Sequence, residues 1–300
     1  MNPDIPVAFP LTPHASRLTS HSFAYEVAGL RFSYGVSSSG SQPWILDGLS
    51  FDVSAGEIVG VIGPNGSGKT SLLKLLVKIL RPQTGSIHLF GQELDRLPQS
   101  AVARLAALVP QDTFQIFPFT IAETVLMGRF PHRRQQGPVI GGGWEGPDDI
   151  RVARQAMEET DVMHVAHRLI NEVSGGERQR AIIARALTQE PRVLLLDEPT
   201  AHLDLNHQLD ICAILRRLKE QRGLSVILVS HDLNLASQYC DRLLLLKEGR
   251  IFRMGTPAEV IRADVLEAVY HCKVLVDRHP ETALPRVTLP GPAREVTGDK

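Results

Sequence analysis

Residues 63–70 read Gly63-Pro64-Asn65-Gly66-Ser67-Gly68-Lys69-Thr70 and satisfy the phosphate-binding loop pattern G-x-x-x-x-G-K-[ST] at every fixed position. The flanks constrain the fold as strongly as the loop does. Ile58-Val59-Gly60-Val61-Ile62 is a β-branched apolar run that predicts a buried strand. Ser71 to Val77 has helical apolar spacing and predicts the helix after the loop. In a strand–loop–helix unit, glycines let backbone N–H groups approach phosphate oxygens, and the helix N-terminus adds partial positive charge. Gly63 through Thr70 is therefore a candidate cradle for a nucleoside triphosphate. Lys69 would reach the β- and γ-phosphates, and Thr70 would offer its hydroxyl to Mg²⁺. Backbone contacts are expected from Asn65, Gly66, Ser67 and Gly68. Ser67 and Ser71 are candidate side-chain partners, although Ser71 also reads as an ordinary first-turn helix residue.

Bulk properties narrow the remaining classes. Three hundred residues suit one large α/β domain or two small ones, and 43% hydrophobic content supports an ordinary core. The formal net charge of −1, with no long basic block, argues against direct nucleic-acid binding. Cys212, Cys240 and Cys272 are scattered without a C-x-x-C pair, which reads as reduced thiols rather than a disulfide or zinc framework. No apolar run approaches the roughly 18 residues needed to cross a bilayer. The chain thus reads as soluble by itself, held at any membrane by something else. Residues 1–22 read as a disordered leader rather than a secretory signal, and residues 280–300, with four prolines, as an extended tail.

Along the chain, Phe23 to Phe32 and Ile45 to Val53 predict strands that precede the loop instead of alternating with helices. An antiparallel β-layer beside a parallel core is the economical reading. Ser86 to Phe90 and Leu105 to Val109 predict further strands. Thr120-Ile121-Ala122-Glu123 and Ser174-Gly175-Gly176-Glu177 are capping boxes that open helices, the second running through Leu187. A helix is expected from Asp149 to about Ala166, with Val152, Ala153, Ala156, Met157 and Thr160 on one face. Arg133 to Pro147 reads as a loop. Val193 to Leu196 and Ser225 to Val229 predict buried strands, with a helix from Leu209 to Leu218 between them. Leu243 to Lys247 and Arg250 to Phe252 predict a hairpin over Glu248-Gly249. Thr256-Pro257-Ala258-Glu259 starts one more helix, with proline at its first position.

Further elements fall at strand ends or a helix start, in an order that resembles the ATP-binding cassette (ABC) ATPases from about Phe23 to Leu289. Leu194-Leu195-Leu196-Asp197-Glu198-Pro199 resembles the Walker B segment, which implies that Asp197 serves Mg²⁺ and Glu198 the attacking water. Ser174-Gly175-Gly176-Glu177-Arg178-Gln179 resembles the signature L-S-G-G-Q, with Val173 and Glu177 replacing Leu and Gln. The resemblance implies that this helix start binds the γ-phosphate held by the opposite subunit of a homodimer. Gln111 resembles the Q-loop glutamine, at Mg²⁺ or the attacking water, and His231 the switch histidine. Ala201-His202-Leu203-Asp204 resembles the D-loop at the dimer interface, where only Leu203 and Asp204 match cleanly. Tyr34 resembles the aromatic residue that stacks on adenine, with Phe32 as a substitute. The implied fold is a P-loop NTPase cassette over residues 23–279, with a mixed, largely parallel core sheet, an antiparallel β-layer and an inserted helical subdomain at about 114–188. ATP and Mg²⁺ are the implied cofactors.

The resemblance extends to transporter cassettes. No paired cassette, coiled coil, zinc module or fused membrane span is visible, so a detachable importer subunit fits better than a soluble ABC ATPase of other function. Met127-Gly128-Arg129-Phe130-Pro131-His132 and Pro199-Thr200-Ala201-His202-Leu203-Asp204 resemble the group that handles iron–siderophore, haem and vitamin B12; a cassette for another solute stays open. The implied partners are polytopic permease subunits and, through them, a solute-binding protein. The implied location is the cytoplasmic face of the cell membrane, as a peripheral protein. The permease helix is expected between about Gln111 and Arg129, a stretch that includes Phe114, Phe117 and Phe119.

Overall fold

A computed structural model of the chain describes residues 22–35, 43–111, 118–132 and 146–291. The leader up to residue 21, the loop at 36–42, Phe114 and Phe117, the loop at 133–145 and the tail from 292 lie outside the described residues. Two strands come first, β1 (Phe23–Phe32) and β2 (Leu46–Ser54), then β3 (Ile58–Ile62) and α1 (Lys69–Leu76) around the glycine loop. β4 (Thr84–Leu89) and the short β5 (Gln92–Glu93) come next, then α2 (Gln99–Leu105) and β6 (Ala106–Val109). The helical region holds α3 (Ile121–Leu126), α4 (Pro147–Glu159) and α5 (Gly175–Leu187). β7 (Val193–Asp197), α6 (Leu205–Arg222), β8 (Ser225–Val229) and α7 (Leu233–Tyr239) return to the core, succeeded by β9 (Arg242–Lys247) and β10 (Arg250–Gly255). The last described elements are α8 (Pro257–Val260), α9 (Ala263–Tyr270), β11 (Leu275–Arg278) and β12 (Pro285–Thr288).

The larger sheet has strand order β10-β9-β3-β8-β7-β6, all parallel except the antiparallel edge strand β10. A separate antiparallel sheet, β2-β1-β4-β5, forms the second layer. The expected parallel core and antiparallel layer are both present. Period-2 alternation divides the core strands between two apolar clusters. Val59, Val61, Leu195, Ile227 and Val229 face the antiparallel layer together with Leu72, Leu73, Leu75 and Leu76 of α1. Ile58, Ile62, Leu194, Leu196 and Leu228 face the opposite way, toward α5, α6 and α9. The helix after the glycine loop thus lies in the core between the two sheets. Its C-terminal carbonyl at Leu76 takes the buried Tyr25 hydroxyl at 2.9 Å.

Four adjacent parallel strands end on one edge of the sheet, and each delivers a polar or glycine residue just past its last position. Gly63 comes after β3, His231 after β8, Glu198 after β7 and Gln111 after β6. Ligands of open α/β sheets bind beyond such carboxyl ends.

Several expectations need correction. The helix expected from Asp149 to Ala166 ends at Glu159, where Thr160 returns its hydroxyl to Ala156 O and Asp161 turns left-handed at φ 54°. Its predicted face is right: Val152, Ala153, Ala156, Met157 and Thr160 are all buried. The strand expected from Leu105 begins one residue later because Leu105 ends α2, a helix the sequence did not suggest, as it did not suggest α7 or α9. The domain does not stop at 279. Pro285–Thr288 pairs with Leu275–Arg278 and docks on α7, where Asn234 donates to Val287 O at 3.1 Å and accepts from Val287 N at 2.8 Å. Proline-rich composition hid this strand. A two-stranded hairpin is marginal alone, and α7 supplies the missing surface.

The Met127–His132 stretch proves to be a clamp on the end of α5. It forms a 3-10 turn packed so closely that a Cβ on Gly128 would lie 1.9 Å from Arg185 O and from Thr188 Oγ1. Arg129 is buried and donates to Thr188 O at 2.7 Å, Glu190 at 2.7 Å and Asp149 at 2.8 Å. His132 Nε2 lies 2.8 Å from Gln189 O. Cationic and polar donors on the last carbonyls of a helix satisfy orphan acceptors and complement its dipole.

Candidate functional site

The glycine loop owes its path to glycine at two positions above all. Gly63 has φ 148° and a Cβ there would sit 2.2 Å from Leu246 O; Gly68 has φ 97° and a Cβ would sit 2.4 Å from Leu46 Cδ2. Both positive φ and close packing exclude a side chain. Lys69 is folded back over its own loop, and its Nζ donates to Gly63 O and Pro64 O, each at 2.9 Å. It is 6% exposed. Burial pulls its ammonium below the ordinary value, against the opposing pull of the Glu198 and Asp197 carboxylates. Its charge is therefore directed at this pocket rather than at solvent.

Asp197 ends β7 fully within the fold. Burial pushes its carboxyl up from the ordinary value, and the neighbouring Thr70 hydroxyl works in the other direction. Its Oδ1 is buried with no hydrogen-bond partner. Two hard oxygen donors side by side, one of them orphaned, fit a Mg²⁺ ion. Among the described residues no cluster of three or more His, Cys, Asp or Glu could hold a metal alone.

Glu198 turns away from Asp197, because it leaves the strand in the left-handed region at φ 52°. The divergence comes from this turn rather than from strand pleating alone. The turn is closed by Ala201 N to Glu198 O at 3.1 Å. Each carboxylate oxygen of Glu198 then has its own partner. Oε2 accepts from Gln111 Nε2 at 2.9 Å, and Oε1 lies 2.5 Å from His231 Nε2. A non-glycine residue at positive φ is a strain that surrounding contacts must hold. Here two side chains from neighbouring strand ends hold it. The pocket thus joins Lys69, Thr70, Asp197, Glu198, Gln111 and His231.

The other expected residues lie around this centre. Tyr34 is exposed, with its hydroxyl 3.0 Å from Ser71 Oγ on α1, and Phe32 packs edge-on at 4.8 Å. Phe32 is buried, which removes it as a substitute stacking surface. Ser67 Oγ is buried without a hydrogen-bond partner, 3.0 Å from where a Gly63 Cβ would be. Pro64, Asn65 and Gly66 form the outer turn of the loop beside the Lys247–Glu248 turn and the end of α9.

The signature-like segment starts α5. Ser174 Oγ accepts from Glu177 N at 3.2 Å, and Glu177 Oε2 accepts from Ser174 N at 2.8 Å. The Ser174 amide and hydroxyl hold the Glu177 carboxyl below its ordinary value. The charge is thus turned back onto the cap, with His164 at 3.3 Å as a second partner. That geometry explains how Glu serves where the family pattern has Gln: both complete a capping box. Ser174 and Gly175 are exposed, whereas Gly176 is buried under the His207 ring, 2.3 Å from where its Cβ would be. Asp204 caps α6 by accepting from His207 N at 3.0 Å. Sequence reasoning missed His207, whose ring covers Gly176, and Tyr270, which lies beside the outer turn of the loop at Pro64–Ser67. Neither lies in a motif, and only their helical positions beside glycine-rich segments could have flagged them.

Comparison with known proteins agrees with this arrangement. Residues 46–201 match the ABC transporter family. The chain is 43% identical over 251 residues to the hemin import ATP-binding protein HmuV of Gloeobacter violaceus, covering 81% of this chain and 88% of that protein. It is 39% identical over 244 residues to the cobalamin import ATP-binding protein BtuD of Halobacterium salinarum, covering 81% of this chain and 59% of that protein. A metal-chelate type ABC transporter solved in an inward-facing conformation superposes with a TM-score of 0.75 at 28% identity, over 89% of this chain and 97% of that one. The chain belongs to the ABC transporter family as an ATP-binding subunit, and it is an ATPase.

Proposed function

We propose that this chain powers an importer of metal chelates or corrinoids, and that Glu198 activates the water that attacks ATP. The observation that carries the catalytic reading is the Glu198 carboxylate held between Gln111 and His231 beside the glycine loop. In this reading Lys69 exchanges the Gly63 and Pro64 carbonyls for phosphate oxygens. Thr70 and Asp197 hold Mg²⁺, which neutralises charge on the phosphate oxygens when bound. Glu198 orients the water and takes its proton, while Gln111 and His231 fix the carboxylate and respond to phosphate occupancy. Tyr34 is exposed and available to lie against adenine.

One chain is half of the machinery. The exposed start of α5 at Ser174 and Gly175, with Glu177 completing the cap, serves the phosphates bound by a second copy. Asp204 fixes the segment that crosses between the copies. A two-fold homodimer then forms two equal sites. The permease docks between Gln111 and the helical region, and a solute-binding protein acts through it. Phe119, half-buried, is the described member of the expected aromatic trio. Among the described residues no helix is long and apolar enough to cross a membrane. Attachment at the cytoplasmic face of the cell membrane therefore falls to the permease in this reading. Cargo is inferred from the hemin and cobalamin named for the two relatives.

Glu198→Gln tests the catalytic reading. It keeps the size and one acceptor oxygen but removes the basicity. ATP turnover should fall by at least about a hundredfold, the usual scale of general-base loss. ATP binding should persist, and the protein should elute as an ATP-loaded dimer in size-exclusion chromatography. Turnover within a fewfold of the parent would refute the role of Glu198.

A further inference from the structure

Both glycines of the signature-like segment lean on one short stretch of the same chain, Leu203 to His207, whose last residue belongs to no motif. A Cβ on Gly175 would lie 3.4 Å from Leu203 Cδ2. A Cβ on Gly176 would lie 2.3, 2.5 and 2.6 Å from Cγ, Cδ2 and Nδ1 of His207, so the imidazole itself occupies that side of Gly176. The ring is held by its neighbours. Arg180 of α5, one turn beyond Gly176 and 6% exposed, points Nη1 at His207 Nδ1 from 3.4 Å. A guanidinium can only donate, so Nδ1 accepts. Asp210 Oδ2, one turn along α6, lies 3.6 Å from the same nitrogen and 3.5 Å from Arg180 Nη1. The backbone beneath the ring is fixed as well. His207 N donates to Asp204 at 3.0 Å, and Gln208 Nε2 donates to Thr200 O at 3.3 Å and to Leu203 O at 3.0 Å.

We infer that His207 is a positioning residue for the shared ATP site, its ring holding the Gly176 backbone so that the start of α5 meets the phosphates of a second copy already in shape. The inference rests on the reading of Ser174–Glu177 as serving the opposite copy's ATP. Glycine has more backbone freedom to lose than any other residue, and the first amides of a helix have no partner within it. Amides aimed at an anion contribute most when they are ordered beforehand. Gly175 is exposed, so the covered Gly176 carries that order. Removing the ring therefore penalises closure of the dimer. It spares ATP binding by one chain, because neither His207 nor its partners belong to the glycine loop.

Two variants separate the ring from its polar atom. His207→Asn removes the ring, keeps an acceptor for Arg180 and keeps the backbone donor to Asp204. His207→Phe keeps a flat ring over Gly176 and gives up the acceptor. Each is made in the Glu198→Gln background, where ATP should accumulate in the dimer. Sedimentation with Mg-ATP gives the dimer dissociation constant, and titration with trinitrophenyl-ATP at low protein concentration gives the single-chain affinity. In His207→Asn the dimer constant should rise roughly five- to twentyfold, the scale of freeing one glycine in each of two sites. In His207→Phe it should stay close to the parent's. Single-chain affinity should stay within about twofold in both. With Glu198 intact, the specific ATPase activity of His207→Asn should fall at low protein concentration and recover as protein concentration rises, which misfolding would not produce. An unchanged dimer constant in His207→Asn overturns the inference. So does an equal loss of single-chain binding, or a His207→Phe dimer as weak as that of His207→Asn, which would assign the effect to the Arg180 bond. Failure of the Glu198→Gln parent to dimerise with ATP would instead remove the shared-site reading beneath it. If His207→Asn does not fold, His207→Ala, a better helix former, carries the same expectation.

Discussion

Replacing Arg129 by Met removes the buried cation that closes the helical region while keeping most of its aliphatic volume. Three partners are lost. The Thr188 carbonyl at the end of α5 is buried and would be left without its 2.7 Å donor, which costs about 1–3 kcal/mol. Asp149 is 25% exposed, so its lost pair adds about 1 kcal/mol once solvent screening is counted. Glu190 is 52% exposed and contributes little. The sum is about 3 kcal/mol. At about 2–4 °C per kcal/mol for a domain of this size, the melting midpoint should fall by roughly 6–12 °C. Circular dichroism melts of the nucleotide-free protein would measure it. Below the melting range ATP affinity should be unaltered, since none of Arg129's partners belongs to the glycine loop. Arg129→Lys should recover only part of the loss, because an ammonium cannot reproduce a guanidinium fork. A midpoint shift below about 2 °C for Arg129→Met would refute the clamp, since the orphaned carbonyl alone exceeds that.

Other perturbations probe the remaining arguments. Lys69→Ala should lower ATP hydrolysis by orders of magnitude in a folded protein, and normal turnover would contradict the loop's assignment. Ser174→Arg should block ATP-driven dimerisation but spare ATP binding by the single chain; full activity would argue against a shared site. Gly128→Ala should destabilise more than an ordinary overpacked core, about 1–3 kcal/mol, because one of its two 1.9 Å clashes is with backbone; near-parental melting would show that the turn can move away. The pH dependence has a defined sign. The Ser174 and Thr120 caps hold Glu177 and Glu123 below the ordinary 4.5. For Asp149 burial pushes upward, but Arg129 and the Gly146 amide outweigh it, leaving the carboxyl below 3.8. Carboxylates depressed on folding stabilise above their unfolded values and lose that contribution as pH falls through their folded ones. The helical region should therefore weaken progressively below about pH 4.5, read as a falling melting midpoint; a flat profile from about pH 5 to 3 would contradict these caps.

Local chemistry was legible wherever backbone geometry demands a residue type. Glycines at positive φ marked the loop, and Ser or Thr with Glu three residues on marked the starts of α3 and α5, each confirmed as a full capping box. The Glu248-Gly249 turn, with φ 49° and 73°, is the two-residue hairpin that its sequence predicts. Apolar periodicity predicted the buried strands and one face of α4. Short helices with polar interiors escaped: α7 reads Leu-Asn-Leu-Ala-Ser-Gln-Tyr, with too few apolar repeats to count. The cap at its start, Asp232 accepting from Asn234 and Leu235, was hidden beside His231.

What stayed out of reach was partnership across long stretches of chain. Gln111 and Glu198 are 87 residues apart, and Glu198 and His231 are 33 apart. No spacing rule joins them, and each alone is an ordinary polar residue after a strand. Strand order supplies the missing link. With β3, β8, β7 and β6 side by side and parallel, every residue just past a strand end arrives on the same edge. The sheet's hydrogen bonding sets the separation of those ends, which is why one carboxylate can meet an amide on one side and an imidazole on the other. A left-handed turn at Glu198 would be an uncompensated strain on a lone strand. Between two such neighbours it is held, and the carboxylate keeps its orientation without any contribution from nearby sequence. The identity of the site residues is thus a property of local sequence, whereas their joint chemistry is a property of the order in which the sheet is assembled.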